Sequence, residues 1–251
     1  MSLIEYLYVD SYIQLLLLAS IVFIAGIARG CIGFGFSALV VASTSFWLEI
    51  KYVAVTMIVL EVVASVFMLK NVKAEIDYKM LKMLSFFGVI GSVTGVWVLA
   101  NVNSFLHQVI LSCYLLVIAL VSLFRYEFKL PLNNSRLFLI SIVGGFYNGF
   151  AAIGGIFVAS MLTSSRVQIK NIRATMVVYF FIIEIAFFIS AYFHGLYSKE
   201  VFFTSLVLII PMLLGIIMGA RLFTRLPEKT LKTIVLISLL LLSIIGLIKL
   251  I

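Results

Sequence analysis

The chain has 251 residues, of which 64% are apolar and 11% charged, and its mean hydropathy is +1.27. A water-soluble domain carries about a quarter charged residues, so the composition excludes a soluble globular fold. The formal net charge of +8 does not point to nucleic acid, because the basic residues are dispersed over short connections between apolar runs, as membrane orientation requires.

In chain order, residues 1–11 carry Glu5 and Asp10 and lack the basic n-region of a secretory signal, so a removable leader is not expected. Residues 12–46 form an apolar stretch of 35 residues, about 52 Å as continuous helix. That is too long for one crossing of a hydrocarbon core of about 30 Å. Gly30, Gly33 and Gly35 interrupt it, which predicts a helix–break–helix hairpin over 12–48. Spanning helices are predicted over 52–70, 83–101 and 105–124, because in lipid each segment must satisfy its own backbone. A second broken stretch, 137–166, is interrupted at 149–155, and helices follow over 172–193, 200–223 and 231–250. Cys31 and Cys113 both fall in apolar segments and suggest neither a metal site nor a disulfide framework.

The order hairpin, helix, helix, helix thus occurs twice, and the residues repeat with it. Shifting the chain by 119 positions lays residues 21–59 on 140–178 without a gap, and eleven of the 39 pairs are identical. They include Gly26/Gly145, Gly30/Gly149, Gly35/Gly154, Lys51/Lys170 and Thr56/Thr175. Apolar composition alone does not match glycines, hydroxyls and a lysine. The predicted units are 1–132 and 133–251.

Lys and Arg counts in successive connections run low, high, low, high in the first unit and high, low, high, low in the second. Equivalent connections are therefore expected on opposite sides of the membrane, with both termini outside. On this topology 14 of the 18 Lys and Arg lie in cytoplasmic connections, and Arg29 falls inside the membrane. The expected fold class is an all-α polytopic membrane protein with an inverted-topology repeat, each half a glycine-broken hairpin plus three transmembrane helices.

The breaks read Gly26-x3-Gly30-x2-Gly33-x-Gly35 and Gly145-x3-Gly149-x4-Gly154-Gly155. Glycine tolerates positive φ and close approach of backbone or ligand. The helix starting after each break would aim its N-terminal N–H groups at the protein centre, a favourable place for an anion. Close helix packing is the competing explanation, and it is preferred for Gly91/Gly95 and Gly215/Gly219. Gly33-Phe-Gly35 lacks the third glycine and the βαβ context of a dinucleotide site. A charge at membrane depth must face a partner or a water-filled cavity. Arg29 and its repeat mate Asn148 are therefore candidate substrate ligands, with an ion pair from Arg29 to Glu61 or Glu184 as the structural alternative. Gly30, Gly33, Gly35, Thr56, Gly149, Gly154, Gly155 and Thr175 complete the candidate substrate site. Glu61 and Glu184, within spanning helices, are candidate proton carriers or structural partners. His107 and His194 read as interfacial polar residues, and Trp47, Tyr52, Tyr192 and Tyr197 as interfacial anchors.

These motifs, with Ala54-Val-Thr56, Ala174-Thr175 and Gly215-x3-Gly219-Ala-Arg221-Leu, resemble the TauE/SafE family of sulfite-exporter-like permeases over nearly the whole chain. Here the family's usual run of three glycines is interrupted by Phe36 and Ser37 in one half and by Ile156 in the other. The proline that commonly follows is Ala42 and Met161. The resemblance implies transport of sulfur-containing or organic anions such as sulfite, sulfonates and sulfoacetate, in agreement with the anion site argued from the residues.

The expected activity is secondary transport across the cytoplasmic membrane, with proton coupling through the two glutamates as a hypothesis. A passive anion channel is an alternative. An intramembrane lipid-phosphate enzyme is another, but the breaks lack the cluster of acids, Arg, Ser or His such chemistry needs, so the chain is read as no enzyme. No cofactor or metal is expected. The expected partners are a small anion and the lipid bilayer, with homodimerisation open and no nucleic acid.

Overall fold

The computed structural model describes residues 3–69, 75–124, 132–163, 165, 167–222, 237, 240 and 244. Most of the helix expected over 231–250, and the connections at 70–74, 125–131 and 223–230, lie outside the described residues. What is described is all-helical: a 3-10 turn at Leu3–Tyr6, then α1 Tyr12–Ile32, α2 Phe36–Thr44, α3 Ile50–Leu69, α4 Tyr78–Asn101, α5 Ser104–Phe124, α6 Asn134–Ala151, α7 Gly154–Thr163, α8 Ile169–Phe193 and α9 Lys199–Leu222.

Local chemistry sets the boundaries. Ser11, Asp77 and Asn133 cap α1, α4 and α6, each side chain accepting from the backbone N–H three residues on. α1 ends where Gly33 turns left-handed at φ 84° and donates its N–H to the Arg29 carbonyl. Gly35, also left-handed at φ 87°, opens α2. The second break begins in the same way and then differs. Ala152, the residue 119 positions after Gly33, is left-handed at φ 58°, but the positive-φ residues do not include Gly154, the mate of Gly35, or Gly155. Those two glycines instead allow close approach. A Cβ on Gly154 would stand 1.7 Å from the Gly144 carbonyl oxygen, and one on Gly155 would stand 2.3 Å from the Phe180 ring.

Among the described residues, five helices are long and apolar enough to cross a membrane: Tyr12–Cys31, Ile50–Leu69, Tyr78–Asn101, Lys170–Phe193 and Lys199–Leu222. The polarity of the bundle is inside out. Ile13, Leu16, Ile24, Phe193 and Ile210 are among the most exposed residues, whereas Arg29, Glu61, Asn148 and Glu184 are buried. That distribution suits a lipid solvent, in which the outer surface is apolar and ionisable groups face the interior.

The helices pack in two corresponding sets. α1 folds back on α2 and lies along α9, while α6 folds back on α7 and lies along α4; α3 and α8 pack on each other between them. The two long crossings are made by glycines, which let backbones touch. A Cβ on Gly26 or Gly30 would stand 2.7 or 2.2 Å from α9 carbonyl oxygens, and one on Gly215 or Gly219 would stand 2.3 or 2.1 Å from α1 carbonyl oxygens. Gly91 and Gly95 of α4 meet Gly145 and Gly149 of α6 in the same manner.

Contacts at the helix ends tie particular connections together. Tyr8, ahead of α1, stacks on Tyr52 at the start of α3 with ring centroids 5.8 Å apart, and its N–H donates to Thr204 near the start of α9. The Asp77 N–H, at the start of α4, donates to Thr175 Oγ1 near the start of α8 at 3.0 Å.

Candidate functional site

Both helix breaks open on one small cavity in the middle of the bundle. Gly35, Ser37 and Ala38 line it from the start of α2, Ala152, Ile153, Gly155 and Ile156 from the second break, Glu61 from α3 and Phe180 from α8. It offers about 10 Å³ of space for the centre of a water-sized molecule, roughly room for one water. Gly35 gives α2 no side-chain cap, and the first-turn N–H groups of any helix lack intrahelical partners.

The two halves line this cavity unequally. Ser37 and Glu61 are polar, and the residues 119 positions further on are Ile156 and Phe180. The first half therefore supplies the charge and the second an apolar wall.

Behind that wall lies Arg29. Its Nη2 stands 2.9 Å from Glu61 Oε2, and both side chains are essentially fully buried. Nη2 also donates to Ser65 Oγ at 3.3 Å, and the guanidinium carbon sits 4.4 Å from the Phe180 ring centroid. The other Glu61 oxygen, Oε1, accepts from the Ser37 hydroxyl. Oε2 is at ion-pair distance without hydrogen-bond alignment, and Arg29 Nε and Nη1 have no hydrogen-bond partner among the described residues. The guanidinium is thus held by one carboxylate, one hydroxyl and one ring, with donor capacity in reserve.

The other expected ligands are distributed as follows. Asn148 is buried and donates from Nδ2 to Glu184 Oε1 at 3.4 Å, leaving Glu184 Oε2 without a hydrogen-bond partner. Glu184 lies within electrostatic range of both Glu61 and Arg29, but the guanidinium pairs directly with Glu61. Gly33 and Gly35 form the first turn, with Gly35 on the cavity, and Gly155 lines the cavity from the second break while Gly154 packs against Gly144. Gly30 and Gly149 lie at the helix crossings with α9 and α4. Thr175 binds the start of α4, Thr56 is buried near Tyr8, and neither lines the cavity.

Four contributors carry no distinctive sequence signal. Ser37, Ser65 and Phe180 look like ordinary residues of apolar helices, although Ser65 is one helical turn from Glu61. Arg173 falls in the first turn of the helix predicted over 172–193 with no sign of its partner in the sequence, and it donates from Nη2 to the Gly30 carbonyl at 3.1 Å, over the C-terminal end of α1. His107 is buried with its ring 4.4 Å from Phe150, so it faces the protein interior rather than an interface.

An all-helical bundle with apolar exterior, five membrane-length helices among the described residues and a buried ion pair at paired helix breaks defines a polytopic membrane protein. The sulfite exporter TauE/SafE family matches residues 18–245, nearly the whole chain, and the protein belongs to that family. Comparison with curated proteins and with solved structures gave no match.

Proposed function

We propose that the protein is a secondary transporter that moves a small sulfur-containing or organic anion, such as sulfite, a sulfonate or sulfoacetate, across the cytoplasmic membrane. The observation that carries this reading is the shared cavity: two helix breaks from different halves of the chain meet there, with the buried Arg29–Glu61 pair against its wall. Membership of a family described as sulfite exporters supports the substrate class. The site residues in this reading are Arg29, Asn148 and the N-terminal N–H groups of α2 and α7, with Gly33, Gly35, Gly154 and Gly155 shaping the turns. Glu61 and Glu184 couple transport to protons.

The two units are related by inversion, and alternating access moves one part of the repeat against the other. The end contacts support this arrangement. Tyr8, Tyr52 and Thr204 bring the charge-poor connections together, while Asp77 and Thr175 join two charge-rich ones. The starts of the repeat mates α3 and α8 then lie at opposite ends, and the charge-rich end is cytoplasmic. Both termini fall outside.

The test is purified full-length protein in liposomes, with sulfite and sulfoacetate flux measured with and without a pH gradient. Wild type transports, Arg29→Ala does not, and the gradient drives accumulation. Flux in wild type equal to that of Arg29→Ala and of empty vesicles overturns the assignment for these substrates. Rapid, gradient-indifferent flux would instead mark a passive channel.

A further inference from the structure

We infer that the Glu61 carboxylate is a tethered stand-in for the transported anion: it occupies the anion position between Ser37 and Arg29, and substrate gains that position only when Glu61 vacates it. The inference rests on the transporter reading above and specifies how the same site is occupied and emptied.

Glu61 is the sole carboxylate on the cavity wall among its described lining residues. A fixed negative charge there would repel any anion, so as a passive liner it contradicts an anion site. Its contacts resolve the contradiction. One oxygen takes the Ser37 hydroxyl and the other faces the Arg29 guanidinium. A sulfonate or carboxylate would use its oxygens in the same way. The cavity beside Glu61 holds about 10 Å³ of water-centre space, about one water, so an anion of several heavy atoms cannot enter while the carboxylate stays. Occupation is therefore mutually exclusive on volume as well as on charge.

Charge balance says what displaces it. Arg29 is the buried cation of the site, and it faces Glu61 directly and Glu184 at longer range. Adding an anion beside one guanidinium and an ionised Glu61 leaves uncompensated negative charge in a low-dielectric interior, which is strongly unfavourable. A proton delivered to Glu61 converts the carboxylate to a neutral acid, breaks the ion pair and frees Nη2 for the incoming anion. One proton then accompanies each single negative charge, and release of the anion lets Glu61 deprotonate and close on Arg29 again.

The groups on the helices packed against α3 permit this assignment. α1 offers Arg29, which pairs with Glu61, and α8 carries Glu184, in electrostatic range of Glu61 and Tyr179. α6 carries Asn148, bonded to Glu184, and Tyr147, stacked on Tyr114 of α5, and the α5 His107 ring lies against Phe150. α2 presents no charge, and α9 carries charge only at its ends, Lys199, Glu200 and Arg221. Glu184 bonds an amide rather than a cation and does not line the cavity, so it does not hold the anion position.

The experiment uses full-length protein in liposomes and radiolabelled methanesulfonate, a monoanion whose own charge does not change with pH. Initial rates give KM between about pH 5.5 and about pH 8.5, and methanesulfonate-induced thermal shifts in detergent give a second readout. In wild type, KM rises with pH, by about tenfold per unit once Glu61 is ionised, as for competition with one ionising group. Glu61→Gln keeps the shape and the Ser37 contact but cannot compete for the guanidinium. Its KM at high pH falls about tenfold or more, its profile is flat, and its thermal shift exceeds that of wild type. A Glu61→Gln protein with wild-type KM, pH profile and thermal shift overturns the inference while leaving an Arg29-dependent transporter intact. Absence of both flux and thermal shift in wild type and Glu61→Gln, with sulfite and sulfoacetate also unmoved, overturns the transporter reading as well.

Discussion

Arg29 and Asn148 stand 119 positions apart in the chain, and each bonds the residue 36 positions beyond itself: Arg29 reaches Ser65 and Asn148 reaches Glu184. The same contact is therefore made in both halves with different chemistry. In the first half the donor is a cation and the acceptor a hydroxyl, so the carboxylate that balances it is supplied one turn earlier, by Glu61. In the second half a neutral amide meets a carboxylate. Two equivalent places in one fold thus hold a charged pair and a neutral donor, which gives the bundle interior there one cationic pole rather than two.

The ion pair should be detectable as stability. Arg29→Met leaves Glu61 buried without its cation, a cost of about 3–5 kcal/mol. Adding Glu61→Gln removes the orphaned charge and recovers most of the loss. Thermal unfolding of the purified variants in detergent measures both, and an Arg29→Met protein as stable as wild type would show that Glu61 finds another partner.

Glycines at the crossings should behave as packing residues. A Cβ at Gly95 or Gly219 would fall 2.1 Å from a carbonyl oxygen of the facing helix. Backbone on both sides cannot yield cheaply, so alanine at either position costs about 1–3 kcal/mol or more. The expected result is loss of folded protein on size-exclusion chromatography, with no selective effect on substrate affinity. Gly195→Ala is the contrast, since nothing lies within 4 Å of its added Cβ and only its φ of 65° is strained, at about 1–2 kcal/mol.

Gly155→Ala should separate transport from folding. The added Cβ meets the far edge of the Phe180 ring at 2.3 Å. A ring can turn where backbone cannot, so the protein folds, but Phe180 then leaves the guanidinium it covers and enters the cavity. Anion flux in liposomes should drop severalfold while the melting temperature changes little; unchanged flux would mean that the Phe180 wall is not part of the path.

Orientation is open to labelling. With Cys31 and Cys113 both replaced by Ser, a cysteine at position 51 should react with a membrane-impermeant maleimide from outside. One at position 170 should react only from the cytoplasmic face. Labelling of both from the same face would refute the inverted relation of the halves.

Glycines show clearly in an apolar sequence, and so does a charge that no loop can absorb. The two breaks and Arg29 were legible for that reason, whereas the helix bounds match unevenly: the helix expected over 83–101 starts at Tyr78. The predicted helix over 105–124 is seen at Ser104–Phe124 and that over 200–223 at Lys199–Leu222. The division of labour among the glycines was not legible. Gly30 and Gly35 belong to one motif, yet Gly30 faces the backbone of α9 and Gly35 the cavity. Residue type did not reveal that the second turn is made by Ala152, although the offset of 119 lays it on Gly33, because the left-handed conformation of a single alanine is imposed by the packing around it.

Periodicity and composition by themselves determined an all-helical membrane chain, because the lipid requirement acts on each segment separately and leaves its mark residue by residue. Which carboxylate holds Arg29, that Ser37 and Phe180 share its cavity, and that Arg173 reaches back to α1 were decided only by the tertiary structure. Those contacts join helices far apart in the chain, and a local pattern carries no information on which side chains a helix crossing brings together.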